Sequence, residues 1–137
     1  MRFLDTNILL RFLTGDDPAK AAASADLLVR ADAGEEELLT SETVIAEVFY
    51  VLTRGRSGYQ VERVELAERM KPVIVARSLR LPDKASVLRA LDVYETYPAL
   101  DFEDALSVAH MESSGISEIV SYDRGFDRVE GVVRVEP

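Results

Sequence analysis

The chain contains no cysteine. That excludes disulfides, zinc–thiolate sites and cysteine nucleophiles together. It has one histidine, His110, so a metal centre built on several imidazoles is excluded as well. Lysine is scarce, with only Lys20, Lys71 and Lys84. No apolar stretch approaches the ~20 residues that a membrane span needs. The N-terminus enters a strand-like segment at once, with no basic stretch leading into an apolar signal run. A cytoplasmic location without membrane attachment is therefore the expectation.

What is present fits an ordinary globular protein. Hydrophobic residues make up 47% and charged residues 30% of 137 positions, enough for one domain, residues 1–137, around one core. The formal net charge is −9. That argues against a protein that holds nucleic acid by a broad basic surface. It leaves room for a nuclease, because catalytic carboxylates add to the negative count and a bound cation reverses the local field.

Strand-like and helix-like segments alternate along the chain. Arg2 to Leu4 reads as a short buried strand. Ile8, Leu9, Phe12 and Leu13 have helical spacing, interrupted at Gly15-Asp16-Asp17-Pro18. Asp17 with Pro18 is an N-cap and first-turn pair for a helix reaching about Ala33, where Gly34 stops it. Residues 37–40 suit a strand. Ser41 caps a helix carrying Val44, Ile45, Val48, Val51 and Leu52 at core spacing and ending near Gly55. A helix is expected within residues 58–76, ended or kinked by Pro72. A strand at 78–81 and a helix from Pro82-Asp83 to about Glu95 follow. Asp101 caps a helix to about Ser114, stopped by Gly115. Strands at 119–122 and 132–135 flank a turn or short helix at 123–127. This alternation predicts a three-layer α/β/α domain with a mainly parallel central sheet. Such sheets place sites beyond the carboxyl ends of their strands, and Asp5 and Asp123 fall there.

Acids inside apolar elements are costly unless something offsets their charge. Asp5 begins Asp5-Thr6-Asn7, all three of which are capping types, though capping requires only one. Glu47 shares a helical stripe with Val44 and Val51, which an ordinary surface Glu would avoid; the alternative is an edge position with the carboxylate in solvent. Glu42 and Glu62 read as solvated. Asp101 and Asp104 occupy the N-cap and third position of a helix, where negative charge is favourable by ~0.3–1 kcal/mol. Asp101 is the better cap. Asp104 aligns with Val108 and Met111 on an inward stripe and is the better ligand. Asp123 and Asp127 bracket Arg124-Gly125-Phe126, which is equally readable as a turn with two surface acids. Ser121 and Thr6 are candidates to hydrogen-bond water at a metal, or simple turn formers. His110 reads as a surface or half-buried residue. Arg54, Arg56 and Arg124 lie at element ends, as phosphate contacts or as partners of a helix dipole.

Four segments in order carry a resemblance. They are Phe3-Leu4-Asp5-Thr6-Asn7-Ile8-Leu9, Ser41-Glu42-Thr43-Val44-Ile45-Ala46-Glu47-Val48, Asp101-Phe102-Glu103-Asp104-Ala105-Leu106-Ser107-Val108-Ala109, and Ser121-Tyr122-Asp123-Arg124-Gly125-Phe126-Asp127. With these the chain resembles the PIN-domain family over essentially its whole length, and within it the small VapC-type ribonuclease toxins. The resemblance implies an acidic pocket of Asp5, Glu47, Asp104 and Asp123 that binds Mg²⁺ or Mn²⁺ and hydrolyses RNA. Asp127 matches a position that is a further acid in some members. The resemblance also implies a homodimer and a cognate antitoxin protein that holds the toxin inactive.

The chemistry agrees with the residues present. Hard cations take oxygen ligands, and Mg²⁺ uses one or two carboxylates with waters. Asp5 and Asp104 are the expected direct ligands, with Glu47 and Asp123 orienting water or holding a second ion. Clustered carboxylates cannot all ionise freely, so without metal some of them are expected to hold protons to higher pH as a coupled set. Two other readings remain open on the residues alone. One is a PIN-like binding module without catalysis, acting through a protein partner. The other is a phosphoryl-transfer domain with an aspartyl-phosphate at Asp5, which needs a lysine near the phosphate; none of the three lysines falls at an expected strand end.

Overall fold

A computed structural model describes residues 1–54 and 59–137. The expected helix end near Gly55, the start of the 58–76 segment and Arg56 lie outside the described residues. The chain divides into two compact units, Met1–Lys84 and Ala85–Pro137.

In the first unit, strands β1 (Arg2–Phe3), β2 (Leu38–Leu39) and β3 (Leu79–Arg80) form a parallel sheet in the order β1-β2-β3. Arg2 pairs with Leu38 and Leu38 with Leu79. Helices α1 (Thr6–Thr14), α2 (Pro18–Asp32), α3 (Glu42–Thr53) and α4 (Arg63–Val75) connect the strands. Local chemistry sets most of their ends. Gly15 adopts φ 65° and closes α1 onto the Arg11 carbonyl, a left-handed conformation that costs glycine little. Asp17 accepts the Lys20 amide to start α2, with Pro18 in its first turn, and Ser41 accepts the Val44 amide to start α3.

The inward stripe of α3 is as its spacing predicts, with Ile45, Val48, Phe49 and Leu52 essentially inaccessible to solvent. Each such side chain contributes roughly 1.5–3 kcal/mol on burial. Val51 is only half-buried.

Two expectations fail here. Arg2 to Leu4 is not a buried strand: Arg2 and Phe3 are exposed and only Leu4 is buried. A two-residue strand with a neighbour on one side in its sheet buries little by itself. Pro72 does not end α4, which continues to Val75. Pro72 is exposed, so water can satisfy the carbonyl one turn earlier, while buried Met70 and Ile74 hold the helix on both sides of it. Glu62 is also more than a solvated acid, because its carboxylate accepts the Val64 and Glu65 amides and caps α4.

The second unit holds α5 (Lys84–Thr96), α6 (Phe102–Ser113), β4 (Glu118–Val120), a 3₁₀ turn (Arg124–Arg128) and β5 (Val133–Val135). β4 and β5 pair in parallel, with Glu118 opposite Val133. β4 ends at Val120, short of Ser121 and Tyr122, although the sequence pattern predicts a strand at 119–122. Asp101 caps α6 by accepting the Asp104 amide, and Gly115 follows the helix at φ 68°. Tyr94 and Phe102 meet edge to face at 5.8 Å between ring centres. The parallel pairing and the strand–helix alternation are those of the expected α/β class, with the described strands in two sheets of three and two.

Candidate active site

Asp5, two residues past β1, stands at the N-cap position of α1, yet its side chain makes no capping hydrogen bond. Its carboxylate is exposed and accepts one bond, from the Asn7 Nδ2 at 3.2 Å. The capping explanation for this aspartate therefore fails. Thr6, 4% exposed, donates its hydroxyl to Glu47 Oε2 at 2.6 Å. Glu47 itself is exposed, at the edge of the buried face of α3 formed by Val44 and Val48. The edge position expected as the alternative for Glu47 is thus the one observed. A bond from a neutral donor to a carboxylate is charge-assisted and fixes where the carboxylate sits.

In the second unit, Asp101 takes the capping role on α6 and leaves Asp104 unneeded for it. Asp104 is half-buried beside fully buried Val108 and mostly buried Met111. Burial, then the negative charges of Asp101 and Asp123, push its carboxyl up to about 6. Burial is the larger influence, with two neighbouring carboxylates adding to it. Asp123 precedes the 3₁₀ turn and accepts the Gly125 amide at 2.8 Å, while the Ser121 hydroxyl accepts the Asp123 amide. A Cβ at Gly125 would lie 3.1 Å from both the Asp123 Oδ1 and the Ala99 carbonyl, so glycine is what lets the turn wrap its carboxylate.

Asp127 behaves differently. Arg134, whose side chain is only 12% exposed, donates to it at 2.8 Å and also holds the Ser121 carbonyl and Glu136. Asp127 is neutralised within the fold, tying the 3₁₀ turn to β5. Among the described residues, none of Asp5, Glu47, Asp104 and Asp123 has a Lys or Arg ion-pair partner. Of the arginines considered, Arg54 packs over the Tyr50 ring at 5.0 Å, and Arg124 is exposed in the 3₁₀ turn. His110 is half-buried on α6.

The donor set available to a metal is all oxygen, which suits Mg²⁺ or Mn²⁺ better than a softer cation. Among the described residues no three acidic or imidazole groups converge closely enough to form a metal cage. The fit is therefore to a cation held by one or two carboxylates with water, the usual habit of Mg²⁺.

Arg11 had no place in the sequence expectations, Asn7 only a capping one, and Lys20 none at a site. All three line a cleft between α1 and α2. The signal available was the i, i+4 spacing of Asn7 and Arg11, which places them on one side of α1.

Comparison with known proteins bears on these residues. The family model of the PIN domain matches residues 2–132. A VapC ribonuclease of Aquifex aeolicus is 28% identical over 137 residues, covering 100% of this chain and 97% of its own. Ribonuclease VapC13 of Mycobacterium tuberculosis and a VapC ribonuclease of Mycobacterium bovis are each 29% identical over 140 residues, covering 98% of this chain and 99% of their own.

Proposed function

This chain belongs to the PIN-domain family, and from that premise we propose that it is a divalent-metal-dependent endoribonuclease, the toxin of a type II toxin–antitoxin pair. Full-length similarity to proteins named VapC ribonuclease supports this reading. The observation that carries it is the contrast among the acids. Asp127 is neutralised by Arg134, whereas Asp5, Glu47, Asp104 and Asp123 have no Lys or Arg ion-pair partner among the described residues. Carboxylates left so are ready for a cation brought from solution.

On the family resemblance, Asp5 and Asp104 are the residues that would hold the metal, and Glu47 and Asp123 those that would orient water and substrate. When bound, the cation stabilises charge on the phosphoryl and departing oxygens and makes water a better nucleophile at neutral pH. No side chain acts as the nucleophile. The residues do the positioning. Thr6 holds Glu47 in place, Asn7 holds Asp5, and the Gly125 amide holds Asp123. Asp104, titrating near 6 in the absence of a cation, accepts a proton at mildly acid pH and is ionised at neutral pH.

We read residues 1–137 as one PIN-like domain acting on RNA as a homodimer in the cytoplasm, blocked by its antitoxin. No helix among the described residues is long and apolar enough to cross a membrane. The test is cleavage of RNA by the purified protein with Mg²⁺ or Mn²⁺, beside Asp5→Asn and Asp104→Asn. Both variants should fold and lose cleavage. Wild-type rates in either would remove that residue from the site. An inert but folded wild-type protein would favour a binding module instead.

A further inference from the structure

The cleft between α1 and α2 has a volume of about 480 Å³ and is lined by Asn7, Ile8, Arg11, Lys20, Ser24 and Leu27, with Ala23 on its wall. That size falls within the ~300–1,000 Å³ of small-molecule sites. Its lining contains two cations and no acid, in a chain with 25 acidic and only 16 basic residues. A second cleft, of about 340 Å³ between α2 and α4, is apolar and includes Asp32, so nothing there attracts an anion. The α1–α2 cleft is also joined to a site acid. Asn7 lines it and at the same time donates to Asp5 at 3.2 Å.

From these observations we propose that the α1–α2 cleft is a substrate subsite, in which Lys20 and Arg11 bind a backbone phosphate of RNA flanking the cleaved bond. Ile8 and Leu27, both half-buried, form an apolar floor for the adjoining sugar and base. The subsite rests on the ribonuclease reading above. Lys20 lies 3.4 Å from Asp17, and Arg11 lies 2.6 Å from Asp16. Neither acid lines the cleft, and exposed pairs of this kind exchange readily for a phosphate. Asp17 keeps its capping bond to the Lys20 amide, and Asp16 keeps those from Thr14 and Tyr59, when the cations turn to substrate. The RNA backbone thus meets positive charge beside Asp5 despite the acidic surface overall.

The experiment is equilibrium binding of a fluorescein-labelled single-stranded RNA oligonucleotide, in EDTA to prevent cleavage, across a KCl series. Wild type is compared with Lys20→Met, Lys20→Arg, Leu27→Ala and, as a control on α4, Arg69→Met. The Lys20 side chain is 65% exposed, so its substitution leaves the fold intact. Each lost phosphate contact lowers the slope of log affinity against log salt by about 0.7, equivalent to about 5-fold between 1 M and 0.1 M salt. Lys20→Met should show that change and Lys20→Arg should restore the slope. Leu27→Ala should weaken binding at unchanged slope, and Arg69→Met should match wild type. Equal slopes for Lys20→Met and wild type, in a protein that cleaves RNA with metal, would overturn the subsite alone. A wild-type protein that neither binds nor cleaves RNA would overturn the ribonuclease reading and the subsite with it.

Discussion

Replacing Asp104 by Asn removes a charge that the fold disfavours and keeps the shape of the side chain. The Asp104 carboxyl sits at about 6 against an ordinary 3.8, chiefly through burial and then through Asp101 and Asp123. At about 1.4 kcal/mol per tenfold, that interval is about 3 kcal/mol before screening. Asp104 is only half-buried, and solvent screening lowers the effect to about 1 kcal/mol. The third position of a helix favours a negative charge by ~0.3–1 kcal/mol, an opposing influence that the raised value has already outweighed.

The sign with pH follows from proton counts. Below pH 3.8 both folded and unfolded chains carry the proton, and Asp104 costs the fold nothing. Between 3.8 and about 6 the folded chain keeps a proton that the unfolded chain has released, so stability falls as pH rises. Above about 6 the penalty is complete and constant. Asp104→Asn should therefore match wild type near pH 3.5 and exceed it by about 1 kcal/mol at pH 8, or ~3–5 °C in Tm for a chain of this size. Denaturant titration at the two pH values measures this. Saturating Mg²⁺ should reverse the order, since a ligand at 100 times its Kd stabilises its holder by about 2.7 kcal/mol and the variant has lost a carboxylate ligand. A variant less stable than wild type at pH 8 without metal, or a difference indifferent to pH, would refute the electrostatic account of Asp104.

Glu47→Gln should lose metal affinity and cleavage together while keeping the Thr6 bond and the fold, as calorimetric Mg²⁺ titration would report. Glu47→Ala should in addition destabilise by roughly 1–3 kcal/mol, because the buried Thr6 hydroxyl loses its acceptor; equal stability of the two variants would mean that the bond contributes nothing. Arg134→Met should lower stability by roughly 1–3 kcal/mol through the loss of its bonds to Asp127, Glu136 and the Ser121 carbonyl. Its Mg²⁺ affinity should be retained, and a large loss would return Asp127 to the metal site. An antitoxin that directs an Arg or Lys at the acids competes with the cation, so saturating Mg²⁺ should weaken partner affinity and the partner should weaken Mg²⁺ by the same factor. Identical partner affinities with and without Mg²⁺ would place inhibition elsewhere on the surface.

Features that depend on a few neighbouring residues were legible in the sequence. Asp17 with Pro18, Ser41 and Asp101 each cap the helix expected of them, and Gly15, Gly34 and Gly115 lie at helix ends with positive φ. The inward stripe of α3 follows from the 3.6-residue period. These are short-range matters, decided by hydrogen bonds and side-chain spacing within one or two turns. What each acid does with its charge was not legible, because capping and turn patterns offer several partners and only the folded geometry selects one. Asp5 and Asp127 look alike as turn aspartates. Yet Asp5 is left uncapped beside Asn7, and Asp127 is neutralised by an arginine on the parallel strand β5. The Thr6–Glu47 bond spans 41 residues, and no local pattern announces it. Pro72 is tolerated because solvent reaches it and buried neighbours hold the helix on either side. Sequence alone therefore determined the acids and their order, whereas tertiary structure decided which of them is paired with an arginine, since charge pairing depends on distance in space and not along the chain.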